Sequence, residues 1–554
     1  MKISHTFSLI SYALILFGIT SLSGKLNAQT SLREEVDTYM KGLPFQMEPI
    51  PIPSFPQKYF DITKYGAVGN GVTKNTKAIQ AAIDECSNTG GGYVMVPSGL
   101  WTTGPIELRS NVNLHLEKGA LIVFSADHND YPLIKNPSKS GYVNQFPILA
   151  NKLENVAITG DGLINGNGQT WRPVKKNKMN PSQWKKLLSK GGALNKNKDM
   201  WWPSKQAADA EDFLANKSVK ELTIEDYGTI KDFFRPHLAL FVNCKNILLD
   251  GPTFENSANM NIYIHKSRNI IVRDVKIFNE WWAQNADGID LSASQNALIY
   301  KCTVNTGDDG ICMKSSKIDK KSNEPALKNI VIRDCVIFHA HGGFVLGSNT
   351  WGGMKNIFVQ NCTFNFTDVG LRFKSGNDKG GLVEDVYIQD IYMKDIADEA
   401  ISFDLFYVDG GAAKTKDLKD ATRIPTFKNF RMNNINCDGA TQAFLIKSLT
   451  PECVSDIELS NSAFIADKGI ETSEASSITF KNVIVKSLTS PLITLNNSSD
   501  FTFDNFSSGN DIGLFMKLSG EKTKNISLIN TKTDCAKIPF EFGAGVSKEV
   551  VNIK

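Results

Sequence analysis

One pattern recurs along most of this chain: a single Asn or Asp, a short apolar run, a turn and a second apolar run. It reads Asn155-Val156-Ala157-Ile158, Asn246-Ile247-Leu248-Leu249 and Asn269-Ile270-Ile271-Val272. It returns as Asn329-Ile330-Val331-Ile332, Asn356-Ile357-Phe358-Val359, Asp385-Val386-Tyr387-Ile388, Asp456-Ile457-Glu458-Leu459 and Asn525-Ile526-Ser527-Leu528, with weaker copies from Asn296, Asn429, Ser477 and Asp500. Start-to-start steps include 23 (246 to 269), 27 (329 to 356) and 29 residues (356 to 385). Periods of this size made of short β-rich segments indicate a parallel β-helix, one repeat per turn of the coil. A propeller blade needs four strands in about 40–45 residues. The leading Asn suits a corner, where it tolerates left-handed backbone and can ladder with its copies above and below. The expected fold is all-β, a right-handed parallel β-helix. With 554 residues the chain is long for one ordinary core, and a solenoid lifts that limit because each turn packs only on its neighbours.

The rest of the chain divides around this array. Residues 1–28 read as a secretory signal peptide: Lys2, an apolar run from Phe7 to Ile19, and Leu26-Asn27-Ala28 before Gln29. That run is too short and interrupted to span a bilayer, so the protein is expected to be secreted or periplasmic, with no membrane span. Residues 29–57 hold a small charged stretch (Ser31 to Met40) and a proline-rich strip through Pro49, Pro51, Pro53 and Pro56, an N-terminal arm or linker. Residues 58–554 form the expected catalytic β-helix. It opens with a helix capped by Asn75 and carrying Ala78, Ile79, Ala82, Ile83 and Cys86 at helical spacing, placed to cover the open end of the coil.

An insertion at about 171–235 breaks the period. From Trp171 to Lys205 it holds ten basic residues and one acid (Asp199), a local balance of +9, interleaved with Trp171, Trp184, Trp201 and Trp202. Two readings stand. It forms a cleft wall for an anionic polymer with tryptophans stacked on sugars, or it is a solvated surface helix (Ser182 to Lys190) whose tryptophans pack on the solenoid. The whole chain carries only +3, or +1 without Lys2 and Lys25, which is no nucleic-acid-binding balance. Nine cysteines cannot all pair, and Cys302, Cys335 and Cys362 take similar places in successive repeats, as buried small apolar residues do. No CxxC pair marks a zinc site, and no cofactor or metal is expected.

Within the array, Asp287, Asp308 and Asp309, His341, and Arg372 and Lys374 follow at steps of 21 (287 to 308), 32 (309 to 341) and 31 residues (341 to 372). One turn of the coil separates stacked residues by about 4.8 Å, so these side chains are expected to gather in one patch. Crowded carboxylates cannot all ionise easily, so one should hold its proton. Adjacent Asp308 and Asp309 would face opposite sides of a regular strand; only a bend at Gly307 and Gly310 lets both reach the patch. Paired carboxylates beside cations suit hydrolysis of an acidic glycoside.

Asn285-Ala286-Asp287, Asp308-Asp309, His341-Gly342 and Arg372-Phe373-Lys374 together resemble glycoside hydrolase family 28, the polygalacturonase family, from residue 58 to about 410. The resemblance implies an inverting, single-displacement polygalacturonase cutting α-1,4-linked galacturonic acid in pectic polysaccharide or oligogalacturonides. It implies Asp308 as general acid, Asp287 and Asp309 as holders of the attacking water, and His341 bonded within the cluster, keeping the acid protonated. Arg372 and Lys374 would pair with a galacturonate carboxylate, with Asn285 orienting water or substrate and Tyr407 a loosely matched substrate contact. A spacing near 5 Å is closer to the retaining separation than to the inverting one of roughly 6.5–9.5 Å, so the resemblance alone carries inversion. Ala340 replaces the first glycine of the family's Gly-His-Gly. Asn256 to Met260 lacks the proline and tryptophan of many homogalacturonan-acting members, which leaves exo-action and a rhamnogalacturonan substrate open. A calcium-dependent pectate lyase and a non-catalytic carbohydrate-binding β-helix are the competing classes; a monomer is expected.

Overall fold

The computed structural model describes residues 31–316, 324–377, 379–407 and 424–554. The reading of 1–28 as a signal lies outside the described residues. Three ladders of parallel strands wind into a right-handed β-helix, each strand bonded to its counterparts one turn before and after. The core is a single apolar column running from Ile62 to Leu528.

The corners explain why the coil holds its register. Asn155, Asn246, Asn269, Asn296, Asn329, Asn356, Asp385, Asn429, Asp456, Ser477, Asp500 and Asn525 all have φ between 53° and 60°. A side chain that bonds locally offsets much of the cost of that backbone. Those bonds run along the coil axis: each Nδ2 donates to the Oδ1 one turn earlier, from Asn155 to Asn111 (3.1 Å), Asn246 to Asn155 (2.9 Å), Asn269 to Asn246 (2.9 Å), Asn329 to Asn296 (2.9 Å) and Asn356 to Asn329 (3.0 Å).

Helix α1 (Thr76–Asn88) covers the open end and buries Ile79, Ala82, Ile83 and Cys86. Asn75 stands at its N-cap but makes no side-chain cap bond. Its Oδ1 accepts from Val68 N (2.7 Å), pinning the turn-rich loop before the helix instead. The arm is docked rather than loose. It begins with a helix over residues 31–39, and Val36, Ile50 and Phe55 pack on outward-facing Ala157, Leu248, Ile271, Leu298, Val331 and Phe358. Glu35 pairs with Arg273 (2.9 Å) and Lys301, and Arg333 donates to Tyr39 O (2.6 Å).

The insertion folds into helices α2 (Pro181–Leu188), α3 (Lys205–Asn216) and α4 (Ile224–Thr229) with a small antiparallel sheet. Its four tryptophans are all buried. Trp171 packs with Tyr131 and Ala258, Trp184 and Trp201 with Val174, and Trp202 with Ala207 and Ala208. Of the two readings, stacking on sugars is therefore corrected: Trp171 packs on the solenoid, as the second reading has it, and the other three supply the core that a segment of this size needs. All nine cysteines are free thiols, eight of them buried.

One ladder positions the candidate site: β1 (Ala239–Val242), β2 (Ile262–His265), β3 (Ile289–Ser292), β4 (Asp309–Lys314), β5 (Gly342–Leu346) and β6 (Val369–Lys374). Substituting Asn329→Ala removes two ladder bonds and leaves Ala at φ 60°, an expected loss of about 2–4 kcal/mol; Asn329→Gly, which accepts that φ, should lose less. Urea unfolding of the two variants against the native chain checks the order.

Candidate active site

Register places the acids. Ile289 pairs with Ile311, which sets Asp287 level with Asp309 in the next turn, and Gly288 N donates to Asp309 O (2.9 Å). Asp308 sits in the bend before β4, as the flanking glycines allow. A Cβ on Gly307 would stand 2.7 Å from Ala283 N and Glu280 O, so only glycine lets the 280–286 loop close on this bend. One oxygen of each of Asp287, Asp308 and Asp309 lies within 4.8 Å of the other two.

The expectation of a strictly stacked column needs correction. Gly342 pairs with Val369, so the residue beside His341 in the next turn is Asp368, whose Oδ2 lies 3.6 Å from His341 Nε2. Arg372 instead pairs across β5 with Val345. The two cations reach back from further along β6. Lys374 Nζ donates to Asp309 Oδ2 (2.8 Å), and Arg372 Nη1 lies 3.5 Å from Asp309 Oδ1 and donates to His341 O (3.2 Å). The Tyr407 ring lies under both, 4.7 Å from Lys374 Nζ and 5.5 Å from the Arg372 guanidinium carbon.

Asp308 is held by Asn285 N (3.1 Å), by Asp309 N (3.0 Å) and by His341, whose Nδ1 is 3.3 Å from Oδ1. Asn285 thus contributes its backbone N–H to Asp308, while its side chain accepts from Arg235 Nη2 (2.8 Å).

Four residues outside the sequence motifs complete the cluster. Lys314, at the end of β4, donates to Asp287 Oδ2 (3.0 Å) and to Asp290. Asp290 is fully buried, and its Oδ2 has no hydrogen-bond partner. Arg235, from the end of the insertion, also donates to Gln284 O (2.7 Å) and Ala258 O (3.1 Å). Arg172 donates to Asn256 Oδ1 (3.0 Å) and pairs with Glu280 (2.6 Å), so the insertion braces the segment that lacks the family's proline and tryptophan. Lys314 had a signal. It closes an apolar strand in register with Gly347 and so with Lys374, and it is the one charged residue after Asp309 in β4. Arg235 and Arg172 lie outside the repeat and had none.

The electrostatics separate the acids. Burial, with Asp290 adding to it, pushes Asp287 well above the carboxylate range despite Lys314. Burial pushes Asp290 up to about 6 against the pull of Lys314. Asp308 goes the other way: burial raises it, but the His341 hydrogen bond and charge, with Lys374, outweigh that and hold it low. Asp309 is lowered as well, with Lys374 and Arg372 overcoming burial and the Asp308 charge. Of the three acids named from the sequence, one is raised: Asp287, chiefly by burial and then by the charge of Asp290. The expectation that His341 keeps Asp308 protonated is corrected, since the His341 hydrogen bond and charge lower Asp308. Within the three-carboxylate cluster, Asp287 Oδ2 already accepts from Lys314 and Asp309 Oδ2 from Lys374.

The profile of glycosyl hydrolases family 28 matches residues 86–468. The chain belongs to this family. Among curated relatives of this family 28 protein is an exo-poly-alpha-D-galacturonosidase of Dickeya chrysanthemi, 27% identical over 72% of this chain and 65% of the relative. A probable polygalacturonase of Vitis vinifera is 27% identical over 59% of each chain. The chain thus spans less than two thirds of the length of these relatives. A hyperthermoactive exopolygalacturonase from Thermotoga maritima superposes with a TM-score of 0.62 at 26% identity, covering 79% of this chain and 93% of that one. A Yersinia enterocolitica family 28 exopolygalacturonase gives 0.60 at 22% identity over 90% and 78%, a likeness of fold.

Lys314→Met leaves Asp287 and Asp290 buried without their cation. Their folded pKa values, already above 3.8, climb further, so stability should fall as pH rises through them. The expected deficit against native is small at pH 4 and about 3–5 kcal/mol near pH 7, read from melting temperature against pH; an equal deficit at both pH values would contradict this.

Proposed function

We propose that this protein hydrolyses α-1,4-linked galacturonic acid in pectin, releasing galacturonate from chain ends. The observation that carries the reading is the juxtaposition of a three-carboxylate cluster with a cationic wall of Arg372 and Lys374 over Tyr407. Acid–base cleavage needs the carboxylates, and a cationic wall selects a sugar that bears a carboxylate. Family membership supports the bond type. The exo mode is supported by the exo-acting relatives named above, and the insertion reaches the site through the bond from Arg235 to Asn285.

In this reading Asp308 protonates the leaving oxygen, and Asp287 and Asp309 hold and activate water for a single inverting displacement. Asp308 is held ionised in the free protein by His341 and Lys374. A substrate carboxylate pairing with Lys374 and Arg372 neutralises part of that field and adds a negative charge nearby. Both effects move Asp308 toward its protonated form. Binding an acidic sugar therefore arms the acid, and a neutral sugar does not. Lys314 offsets part of the burial and of the Asp290 charge that hold the proton on Asp287. The protein acts outside the cytoplasm, where pectin is; among the described residues no helix is long and apolar enough to cross a membrane.

The test is product analysis on polygalacturonic acid and on rhamnogalacturonan, comparing native protein with Asp308→Asn. Native protein should release monomeric galacturonate from the earliest time points, with inverted anomeric configuration by proton NMR, and Asp308→Asn should lose at least about a thousandfold in kcat. A ladder of oligomers would establish endo-action. Release from rhamnogalacturonan alone would move the substrate to the branched polymer. An unsaturated product needing calcium would make it a lyase, and binding with equal inactivity of both proteins would leave a carbohydrate-binding solenoid.

A further inference from the structure

The loop that closes on the catalytic bend carries two adjacent tryptophans with opposite fates. Trp282 turns inward and packs with Trp184 and Trp201 in the core of the insertion. Trp281 stays 44% exposed, set edge-on to Trp282 with centroids 5.9 Å apart. Lys178, just before α2, holds its ammonium 5.2 Å from the Trp281 ring centroid. An exposed indole beside the site is not explained by packing, since its neighbour already anchors the loop. Its position is fixed from both sides. Arg172 pairs with Glu280, and the 280–283 backbone lies against Gly307, directly behind Asp308. Trp281 thus stands on the loop that backs Gly307 and Asp308, in an earlier turn of the coil than Arg372, Lys374 and Tyr407.

We propose that Trp281 and Lys178 form a second galacturonosyl-binding subsite, across the scissile bond from the Arg372–Lys374 wall. The proposal rests on the hydrolase reading above. A galactopyranose ring has one C–H-rich face, left bare by its axial C4 hydroxyl, and such a face stacks on an indole. Its C6 carboxylate needs a cation, which Lys178 supplies. The site therefore takes an acidic galactose-type sugar and not a neutral one. It also gives the basic insertion a role that its four buried tryptophans do not. Lys176, Lys185, Lys186 and Lys190, exposed on the same insertion, add positive potential that draws a polyanion toward it.

Binding of trigalacturonide by calorimetry, in an Asp308→Asn background that cannot turn it over, tests this directly. Trp281→Ala and Lys178→Gln should each weaken binding about tenfold, and Trp281→Phe by less. Raising salt should weaken the Lys178→Gln protein less than its parent, because one ion pair is gone, while the Trp281→Ala protein keeps the parent's salt dependence. Melting temperatures within a degree or two of the parent show that the fold is intact. Affinity within twofold of the parent in both alanine and glutamine variants would overturn the subsite. If native protein cleaves galacturonides but these variants bind as the parent does, the subsite alone fails. If native protein neither cleaves nor binds them, the hydrolase reading fails and the subsite with it.

Discussion

Every functional side chain here depends on the corner at which each coil turn changes direction. At these corners the backbone is left-handed, and Asn or Asp makes that affordable by bonding to its counterpart one turn away. The ladder of amides does what no single strand does: it locks turns of unequal length into common register. From Ile289 to Ile311 to Phe344 to Leu371 the turns measure 22, 33 and 27 residues, yet the paired positions stay aligned. The extra residues are expelled into loops, and those loops build the site.

That register puts unlike charges into one buried cluster. Asp287, Asp290, Asp308 and Asp309 are matched by Lys314, Lys374, Arg372 and Arg235. Burial makes each interaction strong, and the pairing decides which acid keeps its proton. Asp287 and Asp290 share one ammonium and rise; Asp308 and Asp309 meet several cations and fall. A free protein charged this way is poised to respond to an anionic ligand, since any carboxylate arriving at Lys374 redistributes the whole cluster.

The insertion contributes through support. Its core is aromatic and closed, and its two edges reach the site through Arg172 and Arg235, which brace the loop carrying Asn285. A solenoid face is flat, and a loop anchored this way gives it a wall. The same braced loop leaves Trp281 exposed.

The sequence by itself determined the coil, its capping helix and the grouping of Asp287, Asp308, Asp309, His341, Arg372 and Lys374, because a solenoid translates sequence period into spatial proximity. It also pointed to an acid that would be hard to ionise. Only the tertiary structure showed that Asp287 and Asp290 both rise, since burial and the charges around them set a pKa and no motif records either. Only it showed that Asp368, and not Arg372, lies level with His341 in the ladder, because turn lengths vary and strand pairing sets the count. It also decided that the insertion's tryptophans are core while Trp281 is not. Composition marks both as aromatic, and only packing tells which ring has neighbours on every side.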